Sequence, residues 1–108
     1  MNNIKKHVPL MEYLKTLSEK EQRLFLKSAS RPLLRAFAEI ALNIVKRQLP
    51  LSNTDIKRLK KHENEIIQLS KRKHSHEKRK QILMKGGFLP SLLSLLPTLV
   101  TGILTSLQ

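Results

Sequence analysis

The side chains with chemistry to offer in this sequence are cations. Lys57, Arg58, Lys60, Lys61, Lys71, Arg72, Lys73, Lys78, Arg79, Lys80 and Lys85 fall within one stretch, opposed there only by Glu63, Glu65 and Glu77. Two triplets, Lys71-Arg72-Lys73 and Lys78-Arg79-Lys80, flank His74-Ser75-His76. Charge at this density creates a field that attracts phosphates whatever their sequence. No pattern for reading base edges accompanies it, so contact with DNA through these residues is expected to be nonspecific. An anionic membrane surface answers the same chemistry. An ordinary solvated face or a nuclear-import patch has the same composition. His62, His74 and His76 are expected to add positive charge as the pH falls towards about 6. They are not expected to hold a metal, because His74 and His76 stand two apart among repelling cations and do not share a helix face.

Other chemistry is missing. The chain has no cysteine, which excludes disulfides, thiolate reactions and zinc-finger sites. No acid pair and no nucleophile with a base can be read, and Gly86-Gly87 precedes no phosphate-loop Lys-Ser pair. A protein without enzymatic activity and without a cofactor is expected. The aromatics are Tyr13, Phe25, Phe37 and Phe88, with no Trp. That scarcity argues against a deep ligand pocket and against a single-strand binder built on stacking platforms.

The charge is unevenly placed. Lys plus Arg number 21 and Asp plus Glu 8, giving a net charge of +13 over 108 residues. Every charged side chain lies at or before Lys85, and the stretch from Gly86 to Gln108 has none. The length suits one small domain. Lys5 and Lys6 are followed by no continuous apolar run, so a secretory signal is not expected.

The elements that must position the cations are helices; the expected fold is all-α. Residues 1–9 read as a flexible N-terminus, and 10–69 as a small helical bundle. A basic helical segment follows at 70–85, then a glycine joint at 86–87 and an apolar amphipathic tail at 88–108. Leu10, Tyr13, Leu14 and Leu17 form the stripe of a short first helix. Ser18 and Glu21 have capping-box spacing and open a second, with Leu24, Phe25 and Ala29 on one side. Pro32 suits the first turn of a third, which runs to about Lys46. Its broad apolar face is Leu33, Leu34, Phe37, Ile40, Ala41, Ile44 and Val45, with Arg35 and Glu39 left in water. Ser52 and Asp55 cap a fourth helix reaching about Leu69, its stripe interrupted by His62 and Glu63.

In the tail, Ser91, Ser94, Thr98, Thr101, Thr105 and Gln108 recur every three or four residues and line one narrow stripe. The rest is apolar: Phe88, Leu89, Leu92, Leu93, Leu95, Leu96, Leu99, Val100, Ile103, Leu104 and Leu107. One helix over this stretch is about 31 Å long, close to the hydrocarbon thickness of a bilayer. Pro97 is expected to kink it or split it in two. Three destinations suit such a segment: an interfacial or obliquely inserted helix whose apolar residues face the membrane, self-association along the hydroxyls, or packing on the bundle to finish its core.

Met84-Lys85-Gly86-Gly87-Phe88 resembles the cleavage consensus of adenovirus-type maturation proteases: Met, Ile or Leu, any residue, Gly, Gly, any residue. The layout, a basic helical body followed by Lys-Gly-Gly-Phe-Leu-Pro and a leucine-rich end, is similar to the small basic proteins of polinton (Maverick) elements and adintoviruses. The similarity is clearest over residues 32–95. This resemblance implies a structural virion component comparable with adenovirus core and membrane-lytic minor protein precursors. Its partners would be a capsid protein and an adenovirus-like maturation protease, and its location the virion and host nucleus. Cleavage after Gly87 would leave Phe88 as a new N-terminus, similar to that of the membrane-active temporins, although this tail has no cation. Two other functions suit the residues: a nonspecific DNA-binding protein whose tail mediates homo-oligomerisation or completes the core, and a small membrane-associated pore-forming or toxin-like protein.

Overall fold

Four serines mark where helices begin. Ser18, Ser30, Ser52 and Ser75 each accept a hydrogen bond from the backbone N–H three residues on, at 3.2, 3.3, 3.1 and 3.2 Å. Glu21 and Asp55 return the bond by accepting from the backbone N–H of Ser18 and Ser52. Such reciprocal caps satisfy donors that a helix start leaves unpaired. The computed structural model describes the backbone of residues 2–106 and the side chains of residues 3–101. Among the described residues there are eight helices and no strand. They are α1 (Asn2–Lys15), α2 (Glu19–Lys27), α3 (Arg31–Val45), α4 (Asn53–Lys60), α5 (Glu63–Ser70), α6 (His76–Leu83), α7 (Phe88–Leu93) and α8 (Leu96–Ser106).

The all-α expectation holds, and α3 is the central helix. It packs most extensively on α5 and next on α1. Leu33, Leu34, Phe37, Ile40 and Ala41 are buried as the periodicity requires. Ile44 is only half-buried and Val45 is exposed, because the end of α3 runs past the core. Arg47 then reverses the chain at φ 55°.

Several boundaries differ from the sequence reading. The first helix starts at Asn2, not Leu10, so residues 2–9 are not a flexible arm. Ile4 is fully buried with Met11 and Leu14. Packing that stripe against α3 outweighs the backbone bond lost at Pro9, which sits inside α1. On α2 the buried residues are Gln22 and Leu26, whereas Leu24 is exposed. Gln22 Nε2 donates to Leu14 O at 3.0 Å, covering a carbonyl near the end of α1. The expected fourth helix is two, α4 and α5, broken at His62. The His62 ring lies against Phe88 with centroids 5.6 Å apart. Residues 71–75 are a turn, and the basic helix begins only at His76.

The tail folds in. It forms two helices, broken at Ser94 and Leu95, with Pro97 in the first turn of α8. Phe88, Leu89, Leu92, Leu93, Leu95, Leu96 and Leu99 belong to the same buried cluster as α1, α3, α5 and α6. The radius of gyration, 12.8 Å, matches the roughly 13 Å of a fully compacted chain of this size.

Candidate polyanion interface

The cations of α6 and the preceding turn meet a pair from α3. The charges of Lys73, Lys71, Lys78 and Arg79 act on His74, and those of Arg31, Arg79, Arg35 and Lys80 on His76. Arg79 belongs to both groups. Arg31 and Arg35 are spaced i,i+4 and so share a face of α3. α3 packs on α6, and the charges of both arginines reach His76. Sequence reasoning left Arg35 as a wet position and passed over Arg31. Their spacing was the available signal, but the helix they meet lies about 40 residues further along the chain.

Local bonds fix the arrangement. His74 Nε2 donates to Gln68 Oε1 at 3.0 Å, tying the turn to α5. Ser75 caps α6. Lys80 Nζ donates to Lys27 O at 2.9 Å, at the C-terminal end of α2, where a cation suits the helix dipole. It also pairs with Glu77 at 3.5 Å. Both histidines are held below the ordinary imidazole range. For His74 the cause is burial first, then Lys73, Lys71, Lys78 and Arg79. For His76 it is burial first, then Arg31, Arg79, Arg35 and Lys80. The expectation that these two add charge near pH 6 is therefore corrected: their neighbours postpone protonation to lower pH.

The remaining predicted cations are distributed differently. Lys57, Arg58 and Lys60 project from exposed positions of α4, Lys61 caps its end, and Arg72 is exposed in the 71–75 turn. Lys85 is exposed just before Gly86. The structure does not draw the α4 group into the cluster around the histidines.

At the predicted cleavage segment, Met84 is half-buried, and Gly86 is exposed with nothing within 4 Å of where a Cβ would stand. Gly87 adopts φ 77° and precedes α7. Phe88 is 0% exposed. The residues expected to face a membrane instead face inward, from Phe88 to Leu99, because α7 and α8 supply apolar surface that the small bundle lacks. Val100 is half-buried, and the side chains of Ile103, Leu104 and Leu107 lie outside the described ones. The hydroxyl stripe is turned to local use: Ser91 donates to Gly87 O, Ser94 to Ser91 O and Thr101 to Pro97 O, at 2.9, 2.6 and 2.9 Å. Among the described residues no single helix is long and apolar enough to cross a membrane. His76–Leu83 and Phe88–Thr101 reach that measure only as a pair bent by 87°.

A groove of about 530 Å³ opens between the end of α3, α4 and α5. Its walls are mostly apolar, with Val45, Leu49, Ile56, Leu59 and Ile67 among them, and Arg47, Lys60 and Glu63 also line it.

Comparison with protein-family models, with curated proteins and with solved structures finds no match to this chain.

Proposed function

We propose that this protein binds polyanions, nucleic acid foremost, by phosphate contacts from the turn–α6–α3 patch, without reading sequence. The observation that supports this best is that the charges of Arg31, Arg35, Lys71, Lys73, Lys78, Arg79 and Lys80 act on two histidines held below the ordinary imidazole range. Like charges on separate helices repel, so such an assembly favours a ligand that spreads negative charge over the same area. A phosphate backbone has that character, and the cations of α4 extend the footprint. With six to eight phosphates neutralised, log K falls against log salt with a slope of roughly −5 to −7. Retention of duplexes of unrelated sequence, followed across a salt series, tests the reading. Equal affinity and a steep slope support it; a flat salt response removes it.

A second reading, the virion-type precursor, draws on the open position of Gly86. A protease with a narrow groove would reach this turn more readily than any helix. On this reading the chain acts with a capsid protein and a maturation protease, and cleavage after Gly87 frees the tail to perturb membranes. Because α7 is anchored by Phe88, Leu89, Leu92 and Leu93, cutting alone leaves the tail packed, and release also needs the bundle to loosen. Incubation with the protease of the same genetic element, followed by mass measurement, decides the first step. A cut after Gly87 supports the reading; an intact chain with an active protease counts against it. Liposome leakage from the 88–108 peptide, with none from the intact chain, is expected for the second step. Leakage from neither, across a range of anionic lipid, excludes it.

A further inference from the structure

Arg79 is only 8% exposed, and its Nε is enclosed without a hydrogen-bond partner. Among the described residues no acid pairs with it. A guanidinium cannot shed its proton inside a protein, and a buried cation without a counter-charge is unfavourable. One turn back on α6, His76 Nδ1 is likewise buried and unpartnered. Arg31 and Arg35 stand on α3, which packs on α6, and their charges act on the His76 ring. Glu77 pairs with Lys80, and Glu39, four residues after Arg35 on α3, accepts from Asn3 Nδ2 through Oε1 at 3.0 Å while its Oε2 is also enclosed. Two enclosed nitrogens on α6 thus lie within the electrostatic reach of two exposed α3 guanidiniums, and among the described residues no acid pairs with Arg79.

We propose that the α3–α6 seam is a discrete site for one phosphate-type oxyanion, held by Arg79 and His76 from α6 and by Arg31 and Arg35 from α3. Nitrogens arriving from two helices suit tetrahedral oxygens, whereas a carboxylate offers two oxygens in one plane. A guanidinium also matches phosphate oxygens in a way that an ammonium does not. This inference rests on the polyanion reading of the same patch and sharpens it. Within a diffuse cationic surface there is one saturable position, centred on Arg79. The phosphate comes either from a nucleic-acid backbone or from free phosphate, and the chemistry of the site is the same for both.

The test uses the full-length protein with ¹⁵N-labelled arginine. Inorganic phosphate is titrated at constant ionic strength, with chloride making up the balance, and the Arg79 Nε–H resonance is followed. A saturable one-to-one shift is expected, displaced by sulfate and not produced by acetate. Arg79→Lys should weaken phosphate binding by about tenfold or more, the loss expected for a charge-assisted hydrogen bond. Arg79→Leu covers the case in which the lysine variant misfolds. Removing a buried unpaired charge should leave the melting temperature in chloride unchanged or raised, while abolishing the rise that phosphate gives the unaltered protein. A linear, unsaturated shift shared equally by chloride overturns the site. So does a melting temperature that responds to phosphate equally in Arg79→Leu. A parallel titration with a short DNA duplex identifies the source: movement of the same resonance assigns the backbone, and its absence beside a phosphate response assigns free phosphate. If DNA retention is steeply salt-dependent but Arg79 does not move, the discrete site fails and the wider patch stands. If phosphate saturates Arg79 while DNA retention is flat in salt, the site stands and the nucleic-acid reading fails.

Discussion

At the scale of residues, His74 and His76 sit where a proton is unwelcome, and that makes stability depend on pH. Their folded pKa values lie below the ordinary 6.5, so the unfolded chain takes up protons first as pH falls. Stability contributed by the neutral rings is complete above about 6.5 and is lost progressively below it. The urea midpoint should fall between about pH 7.5 and pH 5.5, and less so in His76→Gln, where no proton can bind. A midpoint independent of pH contradicts this. Glu21, held low by its bonds to the backbone and hydroxyl of Ser18, acts in a separate window below about 4.5. The two adjacent glycines offer a second residue-level contrast. Gly87 adopts φ 77°, and a Cβ there would meet His62 only at ordinary contact distance, 3.6 Å. The penalty in Gly87→Ala is therefore conformational, about 1–2 kcal/mol. Gly86→Ala meets open space and should change stability by no more than about 0.5 kcal/mol. Equal effects of the two substitutions in urea unfolding would show that the left-handed turn does not govern this joint.

At the scale of elements, the caps and the central helix were legible in the sequence because their causes are local. Ser18 with Glu21, Ser52 with Asp55 and the Leu33–Phe37–Ile40 face need no knowledge of the rest of the chain. The start of α1 was not legible, since Pro9 argues against helix and only the burial of Ile4 in the finished core overrules it. The tail is a mixed case. Its helical period and its break near Pro97 could be read, but an apolar helix looks the same whether its neighbour is lipid or protein. Packing decides: α1 touches both α7 and α8, and Phe88 is sealed beneath His62. Phe88→Ala should accordingly destabilise the protein by about 3–5 kcal/mol, as for other buried aromatics. Equilibrium urea unfolding measures this. A change near zero is what a tail projecting from the body would give, and it would contradict the inward packing described here.

At the scale of the whole molecule, the division between a charged body and a neutral tail becomes a division between surface and interior. The residues up to Lys85 hold all the charged side chains, while the apolar residues from Phe88 to Leu99 help close the core. Half of the interface was visible as a basic run. The half from α3 was not, because which helix faces α6 is a property of the fold and not of any window of sequence. The patch also has an internal control. Lys46 caps the far end of α3, about 22 Å from Arg31 along the helix. The most direct measurement is therefore DNA retention against salt for the unaltered protein, Arg31→Ala, Arg35→Ala and Lys46→Ala. The expected slope is roughly −5 to −7 for the unaltered protein, about one unit shallower for each of the first two variants, and unchanged for Lys46→Ala. A flat response in the unaltered protein, or the same loss from Lys46→Ala as from Arg31→Ala, would contradict a polyanion interface at the α3–α6 patch.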